Sequence, residues 1–127
     1  MSDTTPVPSA AQLPTAIQNH ALPAPIRESG EKAAYAFLEF FTARIRNQKT
    51  RKAYYRNALH FFRWTDARGL SLDSIRSVHV AHYIEELSKT KSNPTAKQHL
   101  AAIRMLFDHL MVNQIVAANP SDPTVTP

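Results

Sequence analysis

Between residues 29 and 112 the apolar positions recur every three or four residues, which is the spacing of a buried helix face. The spacing predicts four helices. The first runs from about Ser29 to Asn47, with Ala34, Phe37, Leu38, Phe41 and Ile45 inward. The second runs from about Lys49 to Ala67 with Tyr54, Ala58, Phe61, Phe62 and Thr65 inward, and Gly69 follows as a C-terminal stop signal. Asp73 then reads as the cap of a short turn carrying Leu72 and Ile75. The third helix spans about Val78 to Ser88 with Val80, Ile84 and Leu87 inward. The fourth begins at Asn93-Pro94-Thr95, where a first-turn proline fits, and continues to about Val112. It buries Leu100, Ile103, Leu106, Phe107 and Leu110. No segment alternates polar and apolar residues with β-branched enrichment, so the expected class is all-α. Four helices with short connections predict a bundle, its core rich in the aromatics of Phe40-Phe41, Phe61-Phe62-Trp64 and Phe107.

The ends of the chain break this rhythm. Residues 1–28 hold five of the nine prolines and no sustained period, which predicts a disordered tail. Residues 119–127 hold three more prolines and read as a linker leaving the domain. The expected organisation is therefore a tail over 1–28, a domain over 29–118 and a linker over 119–127. The 127 residues fit one domain, and no apolar run approaches the roughly 18 residues that span a bilayer. There is no secretory leader pattern at the N-terminus and no cysteine, which excludes disulfides and thiolate metal sites and is compatible with a cytoplasmic setting.

Charge changes the picture more than composition does. The formal net charge is +5, which favours anionic partners. Its distribution is uneven. No acid occurs between Glu39 and Asp66, a stretch holding Arg44, Arg46, Lys49, Arg51, Lys52, Arg56 and Arg63. None occurs between Glu86 and Asp108, which holds Lys89, Lys91, Lys97 and Arg104. Eleven of the fifteen basic residues thus lie in two acid-free stretches. Solvated helix faces ordinarily mix signs, because opposite charges at i,i+4 stabilise them. Like charges gathered on one face cost stability unless an anion offsets them.

Helical geometry turns Arg51, Lys52, Tyr55, Arg56, Leu59 and Arg63 away from the core on the second helix. It does the same for Lys97, Gln98, Ala101, Arg104 and Met105 on the fourth. Thr50, Tyr55, Asn57, Thr95 and Gln98 supply polar groups beside these cations that can donate to phosphates or base edges, and the small Ala101 permits close approach to a groove. Double-stranded DNA is the expected partner. A basic membrane-surface helix is disfavoured, because the apolar faces are used by the core. The alternatives are a helical protein-interaction bundle whose basic face meets an acidic partner, and a helix-turn-helix regulator, whose compact glycine turn has no counterpart at the helix joints here.

Catalytic and metal chemistry find little footing. Tyr54 and Tyr83 read as core or rim aromatics and Tyr55 as a surface donor rather than as nucleophiles. His79 and His82 are three apart on a helix but lack a third ligand at metal spacing. His99 and His109 have no partner in sequence, and two glycines cannot form a phosphate-cradling loop. No catalytic residue, metal or cofactor is expected.

The run from Thr50 to Trp64 with Tyr54, followed by Arg68-Gly69-Leu70, resembles the core-binding domain of tyrosine recombinases, the group of phage integrases and Xer-type recombinases. The helix with Tyr83-Ile84, the segment Thr95 to Leu110 and the Asn119-Pro120 exit resemble the family's later landmarks in order. The resemblance covers about residues 30–122. One departure is His79, where an acidic residue is common in the family. The resemblance implies a four-helix orthogonal bundle of the SAM-like, integrase N-terminal type, forming one half of a clamp around duplex DNA at a recombination half-site. It implies DNA-facing positions at Thr50, Arg51, Lys52, Tyr55, Arg56 and Arg63, and at Thr95, Lys97, Gln98, Ala101 and Arg104. It also implies contacts with neighbouring recombinase protomers, and a catalytic domain with a tyrosine nucleophile that would begin after Pro127.

Overall fold

Local signals set each helix end in the computed structural model, which describes residues 22–122. Helix α1 is a short turn, Ala24–Glu28, begun by Pro25 in its first turn. The N–H groups of Ile26 and Arg27 both donate to the Pro23 carbonyl, and Ile26 is fully buried. The expected tail over 1–28 is corrected here: residues 22–28 belong to the folded unit. Proline density suggested disorder, but Pro25 occupies a helix start, where its missing N–H costs nothing. Residues 1–21, also assigned to the tail, lie outside the described residues.

Helix α2, Glu31–Glu39, follows Gly30, whose φ of 101° lies in the region open mainly to glycine. It runs straight into a π-helical turn, Phe40–Arg44. The single helix expected over 29–47 is therefore split. In the widened turn Phe40 and Phe41 are both buried. The Thr42 hydroxyl donates to the Leu38 carbonyl at 3.1 Å, taking over an acceptor of the preceding turn.

Helix α3, Gln48–Ala67, is capped by Asn47, whose Oδ1 accepts from the Thr50 N–H at 3.0 Å. It ends in a Schellman motif. The Leu70 N–H donates to the Thr65 carbonyl and the Gly69 N–H to that of Asp66, with Gly69 at φ 70°. The short 3-10 turn Leu72–Ser74 is capped by Ser71, not Asp73: the Ser71 N–H donates to Ser74 Oγ, and Ser71 Oγ donates to Asp73. Helix α4, Ser77–Thr90, starts with the Arg76 N–H donating to Nδ1 of His79 at 2.8 Å. A histidine thus fills the capping-box position at this helix start.

Helix α5, Asn93–Val112, has the bounds the sequence predicts and is capped by Ser92 Oγ, which accepts from the Thr95 N–H. Its C-terminal Schellman turn places Gln114 at φ 62°, with the Ile115 N–H donating to the Leu110 carbonyl. The following residues fold back. Asn119, Pro120 and Ser121 are buried, and Asn119 Nδ2 donates to the Arg104 carbonyl at 2.9 Å. Residues 119–122 are a docked turn and not the extended linker the prolines suggested; residues 123–127 lie outside the described residues.

The long helices α3 and α5 make the most extensive contact, with α2 and α4 packed on either side. Phe61 sits at the junction, its ring meeting Phe62, Trp64, Tyr83 and Phe107 at centroid distances of 5.0–6.5 Å. Each such phenyl ring contributes about 1.5–3 kcal/mol by burial. Among the described residues, regular structure is entirely helical and no helix is long and apolar enough to cross a membrane.

Candidate nucleic-acid interface

The outward side of α3 carries Lys49, Lys52, Arg56 and Arg63, all exposed. Lys97 is exposed on α5. None of these five makes an ion pair among the described residues. Asn57 and Gln98 join the two helices, with Asn57 Nδ2 donating to Gln98 Oε1 at 3.1 Å. Arg56 neighbours Asn57 in sequence, and Lys97 neighbours Gln98.

The remaining sequence-predicted residues have structural work. Arg51 does not point outward: its Nε and Nη2 both donate to the Ile45 carbonyl, at 3.2 and 2.8 Å, closing the turn before α3. Tyr55 is half-buried and stands edge-on to Phe41 at 5.2 Å, so the surface-donor reading of it is corrected; burial pushes its hydroxyl pKa up. Arg104 is exposed, yet its Nε donates to the Ser121 carbonyl at 3.4 Å, toward the docked C-terminal turn. Thr50 and Thr95 are half-buried parts of helix caps, and Ala101 is half-buried. Asn57, expected as a donor to an outside ligand, is buried and spends its amide on Gln98. Lys52, Arg56 and Arg63 on α3 and Lys97 and Gln98 on α5 remain exposed, and the Asn57–Gln98 bond links the two helices. The structure takes Arg51, Tyr55 and Arg104 into other contacts.

Sequence reasoning missed His60. It is exposed on α3, and its Nδ1 lies 2.7 Å from the Tyr83 hydroxyl, which is 3.1 Å from Nδ1 of buried His99. This relay ties α3, α4 and α5 together. Burial lowers the pKa of His60, and Arg63 and Lys91 lower it further. Burial likewise lowers that of His99, with His60 and Lys91 adding to the effect. The partners lie 23 and 16 residues apart in sequence, so no local spacing announces them.

The opposite end of α3 is electrically different. Trp64 Nε1 donates to Glu86 at 3.0 Å, and the same carboxylate meets Arg68 at 3.4 Å and His82 at 3.0 Å. Arg68 lies 3.8 Å over the Trp64 ring. The indole hydrogen bond, and then Arg68, His82 and Lys89, hold the Glu86 carboxyl below its usual pKa. His79 and His82, the two histidines on one helix face, thus serve separate partners. Arg44, from the acid-free stretch, is turned to buried His109, which also meets Glu39 at 3.4 Å.

The family model of the phage integrase N-terminal SAM-like domain matches residues 35–114, from within α2 to just past α5. The chain belongs to this family. No curated protein and no solved structure matches it. The integrase SAM-like domain is non-catalytic, and membership ties the chain to site-specific recombination.

Proposed function

We propose that this integrase SAM-like domain grips duplex DNA at a recombination half-site, as the non-catalytic arm of a tyrosine recombinase. One observation carries the reading: Lys52, Arg56 and Lys97 stand exposed and without an acidic partner on the joined faces of α3 and α5. Phosphates are the partner that such a face lacks. Gln98, held by Asn57, and the small Ala101 share a helix with Lys97, and an α-helix that enters the major groove brings such residues toward base edges. Lys49 and Arg63 extend the cationic track along α3. Other recombinase protomers are further partners on this reading, and DNA as ligand fits a cytoplasmic setting. The breaking and rejoining of strands would fall to a catalytic domain with a tyrosine nucleophile.

Titration of a fluorescent duplex at increasing salt tests this. With three or four phosphate contacts, log affinity falls against log salt with a slope of roughly −3 to −4. Arg56→Ala with Lys97→Ala makes the slope shallower by about two and weakens binding at low salt. A duplex affinity and slope unchanged by the pair would remove this face from the interface. Binding of an acidic protein with no binding of DNA would replace the reading with the protein-interaction alternative.

A further inference from the structure

His60 has the features of an anion ligand held in readiness. It is exposed, and its Nδ1 is fixed by the Tyr83 hydroxyl at 2.7 Å. Its Nε2 has no hydrogen-bond partner among the described residues and is the ring's remaining polar atom. The charged groups acting on it are Arg63 from α3 and Lys91 from the turn between α4 and α5, both cations. From α4 it faces Tyr83, and from α5 it faces His99, whose ring lies 5.6 Å away. No carboxylate offsets this group.

The relay dictates which histidine can become charged. The Tyr83 hydroxyl has one proton to donate and can accept one in return. If His60 is charged, its Nδ1–H donates to the Tyr83 oxygen, and the Tyr83 O–H donates to Nδ1 of a neutral His99. Every bond of the relay survives. If both histidines were charged, Tyr83 would face two donors and one bond would break. His99 is buried and His60 is exposed, so desolvation assigns the charge to His60.

We propose that His60 is a phosphate ligand of the DNA-bound domain, and that it takes up one proton from solvent on binding. Charged Nε2–H donates to a backbone phosphate oxygen beside Arg63 and Lys91, while Tyr83 and His99 hold the ring. The inference rests on the DNA-gripping reading above and adds a specific consequence to it. In the free domain, burial and the two cations keep His60 neutral at neutral pH. A phosphate reverses the local field and favours the charged form. The bound state then holds more protons than the free state, so affinity rises as pH falls through the window between the two His60 midpoints.

The experiment uses the full chain and a mixed-sequence duplex about two helical turns long, with imidazole NMR titration of His60 and binding isotherms at constant ionic strength. Adding the duplex raises the His60 midpoint by about one unit, and affinity is about tenfold higher below the window than above it. His60→Gln loses the gain on acidification, so its affinity stays flat across the window in which the wild type tightens. Tyr83→Phe keeps a core ring, frees the imidazole from its orienting bond and shrinks the gain. A His60 midpoint unmoved by bound duplex, or full acid enhancement retained by His60→Gln, overturns the proposal while leaving the DNA reading standing. No duplex binding at any pH in low salt overturns the DNA reading, and this inference with it.

Discussion

The two ends of α3 carry cations of the same kind under opposite electrical conditions. At the C-terminal end, Arg68 stacks on Trp64 and shares Glu86 with His82 and the indole N–H. Its charge is balanced within the fold. In the N-terminal half, Lys52 and Arg56 make no ion pair among the described residues, and neither does Lys97 of α5. The contrast separates cations that hold the bundle together from cations left available to a ligand. Lysine and arginine counts do not make that distinction, since Arg51 and Arg104 also serve the fold through carbonyls.

Charge reversal should expose the difference most strongly. Lys52→Glu with Arg56→Glu is expected to lower duplex affinity about a hundredfold, equivalent to about 2.7 kcal/mol, with helicity by circular dichroism unchanged. Unchanged affinity would break the comparison at its centre.

Acidification tests the histidines packed between the helices. His99 and His109 have folded-state pKa values lowered chiefly by burial, and His60 is lowered too. Their unfolded counterparts titrate near about 6.5. The folded state therefore binds fewer protons. The stability these groups contribute is fully present above about pH 6.5 and is lost as the pH falls through the lower folded values. The melting midpoint without DNA should drop by roughly 5 °C or more between about pH 7.5 and about pH 5. The DNA-linked gain proposed for His60 runs in the opposite direction, so the two effects are separable by adding duplex.

Smaller effects should follow at the balanced end. Trp64→Phe removes the indole donor and part of the packing against Phe61 and Tyr83, and should cost about 1 kcal/mol in chemical denaturation with duplex affinity unchanged. Arg68→Ala, exposed and screened, should move stability by less than about 1 kcal/mol and affinity by less than about twofold. A loss of DNA binding in Arg68→Ala comparable to that in Arg56→Ala would erase the distinction between the two ends.

Much of the fold was legible in local pattern. The bounds of α5 follow from Ser92, Pro94 and the spacing of Leu100 to Leu110, and the end of α3 from Gly69. The all-helical integrase class followed from the helical period together with the Thr50-to-Trp64 run. Three features were not legible. The π-turn at Phe40–Arg44 interrupts a stretch whose apolar spacing reads as one continuous helix. The left-handed Gln114 gives no glycine signal at the end of α5. Pro23, Pro25 and Pro120, read as tail and linker, become a helix start and a docked turn because Ile26 and Asn119 find partners far along the chain.

The candidate interface divides in the same way. Sequence alone determined that α3 and α5 are poor in acid and that Lys52, Arg56, Arg63 and Lys97 lie off the core face, because helical period fixes which side a residue occupies. Only the tertiary structure decided which cations remain open, because that depends on groups such as the Ile45 and Ser121 carbonyls, which no side-chain pattern encodes. It also decided that Asn57 meets Gln98 and that His60, Tyr83 and His99 join in one relay. Those bonds form where three helices converge, and convergence is set by how the whole core packs.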